Sequence, residues 1–381
     1  MRILFVYQFC TLGGVEAVLK NRLPEFYRQG VDSEVLFLSD QGGSKAFKNF
    51  KKIHFENRGK ELIRIIDEGR FDFIIPIDTP QIYPILKRSR FDGLQVTEVH
   101  TTNLDILKYL SAIGETNTKA IITPSRFEKE LVFKEIKEFE KTGIPVYVVP
   151  NPINLELFQF KEPRSKPDKK VIGWVGRLEK GKNWKHFLEM ASEMAKERND
   201  LLFLVIGGRF AESNVKKDFL ETVKRLGLID CLKWVSFLDH DRMPAIYSLM
   251  GASGGCLVAT SLSESFGITA IEAMACRCPV VASRVGGFQE VITDGENGLL
   301  FELNNTQEAL TQMRTLIDDS SERTRIVKNA WVAVKENYSP ERVVDRYLAV
   351  LRELIKKVPT DSQLEMKKAT PLSHSVREKS F

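Results

Sequence analysis

The sequence predicts an α/β protein built as two doubly wound, parallel-sheet domains. Three observations carry this. Short β-rich apolar runs alternate with helix-length segments along the chain, the rhythm of strand–helix–strand units. The runs are continuously apolar rather than alternating, as strands buried on both faces are. A charged, proline-containing stretch interrupts the rhythm once.

In the first half, strands are expected at Ile3–Phe9, Glu34–Leu38, Phe71–Ile77, Gln95–Val99, Ala120–Thr123 and Val146–Val149. Helices such as Val15–Gln29 and Arg126–Lys137 lie between them. Lys161–Asp168 has two prolines and no apolar periodicity, so it reads as the linker. The rhythm restarts at Val171–Val175 and continues through Leu202–Ile206, Leu232–Ser236, Cys256–Ala259 and Pro279–Ala282. Val343, Val344, Tyr347, Leu348, Leu351 and Leu354 then follow helical spacing over Pro340–Lys357. This gives domains at 1–165 and 168–338, a helix at 339–357, and a polar tail at 358–381 with little to bury, expected to be disordered.

The composition excludes several classes. With 43% hydrophobic and 28% charged residues, the chain is neither disordered nor a disulfide framework. Its apolar runs fall short of the roughly 18 residues a membrane span needs. The first residues, Met1–Tyr7, read as a strand and not a signal peptide. Five cysteines, odd in number and mostly in apolar runs, suit a reducing cytoplasm. A net charge of +5 is compatible with an anionic substrate or membrane surface and too weak to argue for nucleic acid. Lys45–Arg64 holds seven basic residues with interspersed aromatics. Its default reading is a solvated face; peripheral contact with the inner membrane face is the alternative.

Three segments carry chemistry. In Ser263–Ala275, a strand leads through a short loop into a helix starting near Gly267, whose unpaired amides and positive dipole end attract an anion. Glu264 stands at the mouth and Glu272 about one and a half turns inside. At such different depths they are no acid–base pair; they would accept hydrogen bonds from two parts of one ligand. Gly176–Lys182 follows the second domain's first strand, where doubly wound sheets bind ligands, so Arg177 and Lys182 are placed to neutralise a pyrophosphate. Gly13-Gly14-Val15-Glu16 is a glycine turn opening a helix. The three-glycine dinucleotide fingerprint is absent from the sequence, which argues against a nicotinamide dehydrogenase. Asp239-His240-Asp241 looks like a metal-binding D-x-D but reads as a solvated turn. Cys276 and Cys278 lack a second pair at zinc spacing, so they read as buried thiols.

These residues resemble the retaining, nucleotide-sugar-dependent glycosyltransferases of the GT-B fold, family four (glycosyl transferases group 1). The resemblance runs from Arg2 to about Lys357. It is most specific from Glu264 to Phe301: the Glu-x7-Glu motif, then Cys278–Ser283, Val285-Gly286-Gly287 and Asp294–Leu300. Supporting matches are Pro124–Phe127, Val149–Asn154, Gly176-Arg177-Leu178 with Lys182, and Ile206-Gly207-Gly208. It departs at Arg277, where a small residue is usual, at Thr260-Ser261 for Pro-Ser, and at Gly208-Arg209 for Gly-x-Gly.

The resemblance implies two Rossmann-like domains facing a cleft, with the 339–357 helix packed back on the first. It implies that Arg177 and Lys182 hold the donor diphosphate and that Glu264, Phe266, Gly267, Ile268 and Thr269 hold sugar and phosphate. Glu272 would bind the ribose, Gly208 and Arg209 lie near the base, Gly14 approaches across the cleft, and His100 stands near the reacting carbon. The expected activity is metal-independent sugar transfer, with retention, from a nucleotide diphosphate sugar to a glycan, lipid-linked or natural-product acceptor. No cofactor, resident metal or nucleic-acid partner is expected. Alternatives are an epimerase or sugar-phosphate synthase on the same fold, or a silent nucleotide-binding relative.

Overall fold

The computed structural model describes residues 1–357 except Leu12, Lys51 and Lys166, with Glu135 described by its backbone alone. The tail expectation, 358–381, lies outside the described residues. The first sheet holds β1 (Arg2–Cys10), β2 (Asp32–Asp40), β3 (Ile53–Phe55), β4 (Phe73–Ile77), β5 (Leu94–Glu98), β6 (Thr118–Thr123) and β7 (Val146–Val148). Their order is 3-2-1-4-5-6-7, all parallel. The second holds β8 (Lys170–Val175), β9 (Leu201–Ile206), β10 (Leu232–Val235), β11 (Cys256–Ala259), β12 (Val280–Ser283) and β13 (Leu299–Phe301), ordered 10-9-8-11-12-13, also parallel. Strand order reverses at β1/β4 and at β8/β11, the switch points where such sheets open a crevice.

Each sheet is buried on both faces. Ile172, Phe187, Phe203 and Met313 pack on one side of the second sheet; Leu204, Tyr247, Ile271 and Met274 pack on the other. In the first sheet, Leu4, Val6, Ile66 and Ile74 form one layer and Ile3, Phe5, Phe26 and Phe73 the opposite one. The last helix, Pro340–Lys357, joins that opposite layer through Val343, Val344, Tyr347, Leu348 and Leu351. Its apolar stripe therefore belongs to the first domain, while the preceding helix, Ser320–Tyr338, lays Ala330 and Val334 on the second.

The crossing between domains differs from the sequence reading. The boundary at 165 and the linker at Lys161–Asp168 are too late. Ile153 and Phe158 already sit in the second domain's core, and the Lys161 N–H donates to Ser248 Oγ at 2.9 Å. The chain crosses after β7, near Val149–Ile153, where Asn151 and Pro152 are buried. Buried residues without regular structure show no periodicity, so the charged stretch beyond them looked like the linker. The return crossing is at Ser339, and the two are tied by the Ile153 N–H donating to Tyr338 O at 2.8 Å.

Candidate active site

The loop between β11 and the Ile268–Ala275 helix is shaped by glycines on both sides. Gly267 caps the helix at φ +101°, a left-handed position where a Cβ would meet the Phe288 ring at 2.7 Å. Gly286 lies at φ +47°, and a Cβ there would stand 2.2 Å from the Glu264 carbonyl oxygen. The Gly287 N–H donates to that carbonyl at 2.7 Å. Ser283 Oγ donates to Ser261 O at 2.7 Å, and the Leu262 N–H to Gly181 O at 2.8 Å. These bonds press the loop against the segment after β8. Thr260 Oγ1 completes the join by donating to the Lys182 and Asn183 carbonyls while receiving Trp174 Nε1 at 3.0 Å. This is the role of the threonine that replaces the usual proline.

Lys182 and Glu264 meet as a result: Nζ lies 2.7 Å from Oε2, with the two side chains 26% and 13% exposed. Ser261 Oγ donates to the same oxygen at 3.3 Å. A cation and a carboxylate thus meet at the β8/β11 switch point, on the loop that leads into the Ile268–Ala275 helix. Phe266 is buried edge-on against Tyr338 at 5.5 Å, and Thr269 is half-buried in the first helical turn. Gly14 opens its own helix, Gly14–Arg28, directly opposite: a Cβ there would lie 4.0 Å from Ile268 Cγ2. The turn before it is held by Thr11, whose hydroxyl donates to buried Glu16 at 2.6 Å.

Other residues singled out from sequence stand apart from that pair. Arg177 is 77% exposed and bonds Glu179 at 3.0 Å. Its charge is felt at Tyr7 of the first domain. Burial and the Glu16 and Asp78 carboxylates raise that phenol, and the Arg177 charge partly offsets them. Gly208, at φ +92°, packs where a Cβ would strike Leu178 Cδ1 at 2.6 Å, while Arg209 folds over the Phe237 ring at 4.4 Å. Glu272 is 3% exposed, with Oε1 2.7 Å from His240 Nε2 and Oε2 receiving the Tyr247 hydroxyl at 3.0 Å. The turn Asp239-His240-Asp241 is not simply solvated: His240 lies tilted against the Phe158 ring at 5.0 Å and pins Glu272, while Asp241 bonds Lys20 of the first domain at 3.1 Å.

The first-domain wall is more strongly charged than the sequence showed. His100 Nε2 bonds Glu98 at 2.9 Å, and Glu98 is also held by Arg22 at 3.0 Å and by the Tyr347 hydroxyl of the last helix. Burial alone would push Glu98 up; Arg22 and His100 outweigh it and hold the carboxyl at about 2. His100 is therefore tied to the Glu98–Arg22 pair, and its backbone N–H donates to Asp78 Oδ2 at 3.0 Å. Asp78 follows β4 at φ +42°, a rare conformation for a non-glycine residue. Burial raises its carboxyl to about 6 despite the pull of His100.

Glu128 was not identified from sequence. It lies in the first turn of the Arg126–Glu135 helix, fully buried, and neither carboxyl oxygen has a partner. Burial, then the neighbouring Asp78 and Glu264 charges, raise it to about 9. Ser125 caps this helix by accepting the Glu128 N–H at 3.0 Å. The same hydroxyl donates across the cleft to Ser265 O at 2.5 Å. Beside it the Arg126 and Phe127 N–H groups donate to Glu290 at 2.9 and 2.7 Å. The Ser-x-x-Glu spacing was the available signal, though as a helix cap alone.

Two further readings can be placed. Within Lys45–Arg64, Lys52 bonds Asp32 at 2.6 Å, Arg58 bonds Glu56 at 2.7 Å and Arg64 bonds Glu61 at 2.8 Å, so much of the basic charge is neutralised locally. Among the described residues, no helix is long and apolar enough to cross a membrane. Arg277 adopts φ +59°, which accounts for the small residue expected there, and stacks on Phe160 at 5.3 Å.

The chain resembles known proteins in family and fold. Residues 156–331 match the family model described as glycosyl transferases group 1. An alpha-D-kanosaminyltransferase of Streptomyces kanamyceticus is 27% identical over 196 residues, covering 51% of this chain and 49% of that protein. Spore coat protein SA of Bacillus subtilis is 24% identical over 315 residues, covering 77% and 82%. A D-inositol 3-phosphate glycosyltransferase of Rhodococcus opacus is 31% identical over 191 residues, 49% of this chain and 41% of its own length. The chain thus spans less than half the length of two of these three relatives. Among solved structures, Anabaena Alr3699/HepE in complex with UDP-glucose superimposes with a TM-score of 0.79 at 20% identity over 93% of this chain and 100% of that one.

Proposed function

Residues 156–331 belong to the glycosyl transferases group 1 family and the chain has the GT-B fold; from that premise we propose that this protein transfers a sugar, with retention, from a nucleoside diphosphate donor to an acceptor hydroxyl. The observation that carries the reading is the Lys182–Glu264 pair at the start of the Ile268–Ala275 helix, 2.7 Å apart. The ammonium and the helix amides form a cradle for a diphosphate. UDP is the first donor base to try, because Alr3699/HepE is crystallised with UDP-glucose.

The bond between the anomeric carbon and the diphosphate oxygen breaks, and its electron pair stays on the phosphate. Lys182 stabilises that charge, joined by Arg177 as it leaves Glu179. The acceptor oxygen bonds the same face of the carbon, and its proton passes to the departing phosphate oxygen. Retention follows without a carboxylate nucleophile. The chemistry rests on charge stabilisation and positioning, and closure of the domains excludes water. Glu272, presented by His240 and Tyr247, would accept from the ribose hydroxyls. No step calls for a divalent metal. A glycan, a lipid-linked sugar and a natural product are all consistent acceptors, the reaction taking place on the cytoplasmic side.

Incubation with a panel of nucleotide sugars, with and without acceptors, tests this. Acceptor-dependent release of nucleoside diphosphate with the α-configuration kept is the expected result. Isomerised donor would mark an epimerase, and binding without release a silent relative.

A further inference from the structure

Resting on the transferase reading, we propose that the first-domain wall of the cleft is an acceptor subsite for a protonated amine, with Asp78 and Glu128 as its ligands. The carboxylates around the cleft divide into two groups. Glu264 is matched by Lys182, Glu98 by Arg22, and Glu16 by the Thr11 hydroxyl. Asp78 and Glu128 have no cation bonded to them among the described residues. Asp78 Oδ2 takes the His100 N–H, but its Oδ1 is buried without a partner, as are both oxygens of Glu128. Three buried acceptor atoms are left open.

Their surroundings point the same way. In a Ser-x-x-Glu cap the glutamate ordinarily turns back to the serine N–H. Glu128 does not: both carboxyl oxygens are buried without a partner, within electrostatic reach of Asp78 on its own domain and Glu264 on the other. Near the pair stand His100, whose pull on Asp78 does not overcome burial, and the phenols Tyr83 and Tyr109, of which the Tyr109 hydroxyl is also unpartnered. Two carboxyls in a water-poor site cannot both ionise without a counter-charge. An ammonium supplies that charge and three donors for three open acceptors; a hydroxyl supplies one donor and no charge. The second domain covers this wall through Ser265 on Ser125 and Gly286 against Phe127, so the ligand would enter as the domains part. The amine is a recognition group, and the nucleophile remains a hydroxyl elsewhere on the acceptor.

The test is calorimetric binding to the full chain in the presence of UDP, using glucosamine against glucose, galactosamine against galactose, and serinol against glycerol. At least one amine should bind about 10-fold tighter than its hydroxyl twin, the difference between a charged and a neutral set of hydrogen bonds. Glu128→Gln and Asp78→Asn should each erase that preference while melting as cooperatively as the parent. If no amine outbinds its twin, or the preference survives both substitutions, the subsite is wrong. Nucleoside diphosphate release on the same protein separates the two proposals. Release with purely hydroxylic acceptors and no amine preference keeps the transferase and rejects the subsite. Amine binding with no release in any donor panel keeps the subsite and rejects the transferase.

Discussion

Replacing Glu128 with glutamine should flatten the loss of stability expected of the protein as pH rises. The carboxyl is buried without a partner and stands at about 9 in the folded protein against an ordinary 4.5. Between those values the folded chain keeps a proton that the unfolded chain releases. Stability is therefore complete below the lower value and falls as pH climbs toward the upper one. Each unit corresponds to about 1.4 kcal/mol, so the interval from pH 5 to pH 8 removes about 4 kcal/mol from the parent. Glutamine has no proton to lose. At pH 8 the variant should gain about 4 kcal/mol on the parent relative to pH 5, roughly 10 °C in the melting of a domain this size. Asp78, raised to about 6 by burial, is coupled to Glu128, so the same comparison in an Asp78→Asn background separates its share. Calorimetric melting of parent and variant at the two pH values measures it. Parallel pH dependence in the two proteins would show that Glu128 is hydrated or ionised in the folded state, and would remove the premise of the amine subsite with it.

Three other substitutions probe the donor side. Lys182→Ala should reduce nucleoside diphosphate release about 100-fold, the usual loss for a charge stabiliser, and Arg177→Ala should do so with an unchanged melting point, because its side chain is 77% exposed and paired with the neighbouring Glu179. Near-normal turnover in both, measured by steady-state kinetics, would refute their assignment. Gly286→Ala drives a methyl into the Glu264 carbonyl, so kcat should fall with Glu264 displaced although no charged side chain is removed; a normal kcat would show that the loop position does not matter. His240→Ala frees Glu272 from its pin and should weaken nucleoside diphosphate binding several-fold by calorimetry, with Glu272→Ala weakening it further.

The fold was legible because strands buried on both faces must be apolar throughout, and β1, β4, β8 and β11 announce themselves that way. β3 and β13, three residues each, carry too little pattern to be seen, and β3 lay hidden inside the basic stretch. On the donor side, Glu264, Gly267 and Lys182 could be placed because they follow strand ends at fixed short spacings. The residues that were missed act over long separations. His240 reaches Glu272 across 32 positions and Ser125 reaches Ser265 across 140. No local periodicity records such a bond. Glu128 was hidden by its ordinary place in a capping pattern, and only burial reveals that its carboxyl is unspent. The early crossing near Val149–Ile153 was missed for a related reason: an irregular buried segment resembles neither a strand nor a loop.

The seating of the Pro340–Lys357 helix bears on how the chain is assembled on the ribosome. Tyr347 of that helix packs on Phe5 and Phe26 and bonds Glu98, so one face of the N-terminal half is roofed by residues translated more than three hundred positions after it begins. During synthesis that half must wait, with Phe5, Phe26 and Val35 open to solvent or to a chaperone, until the C-terminal half has emerged. A nascent chain stalled before Pro340 should carry a finished downstream unit and an unfinished upstream one, the reverse of the usual order of maturation.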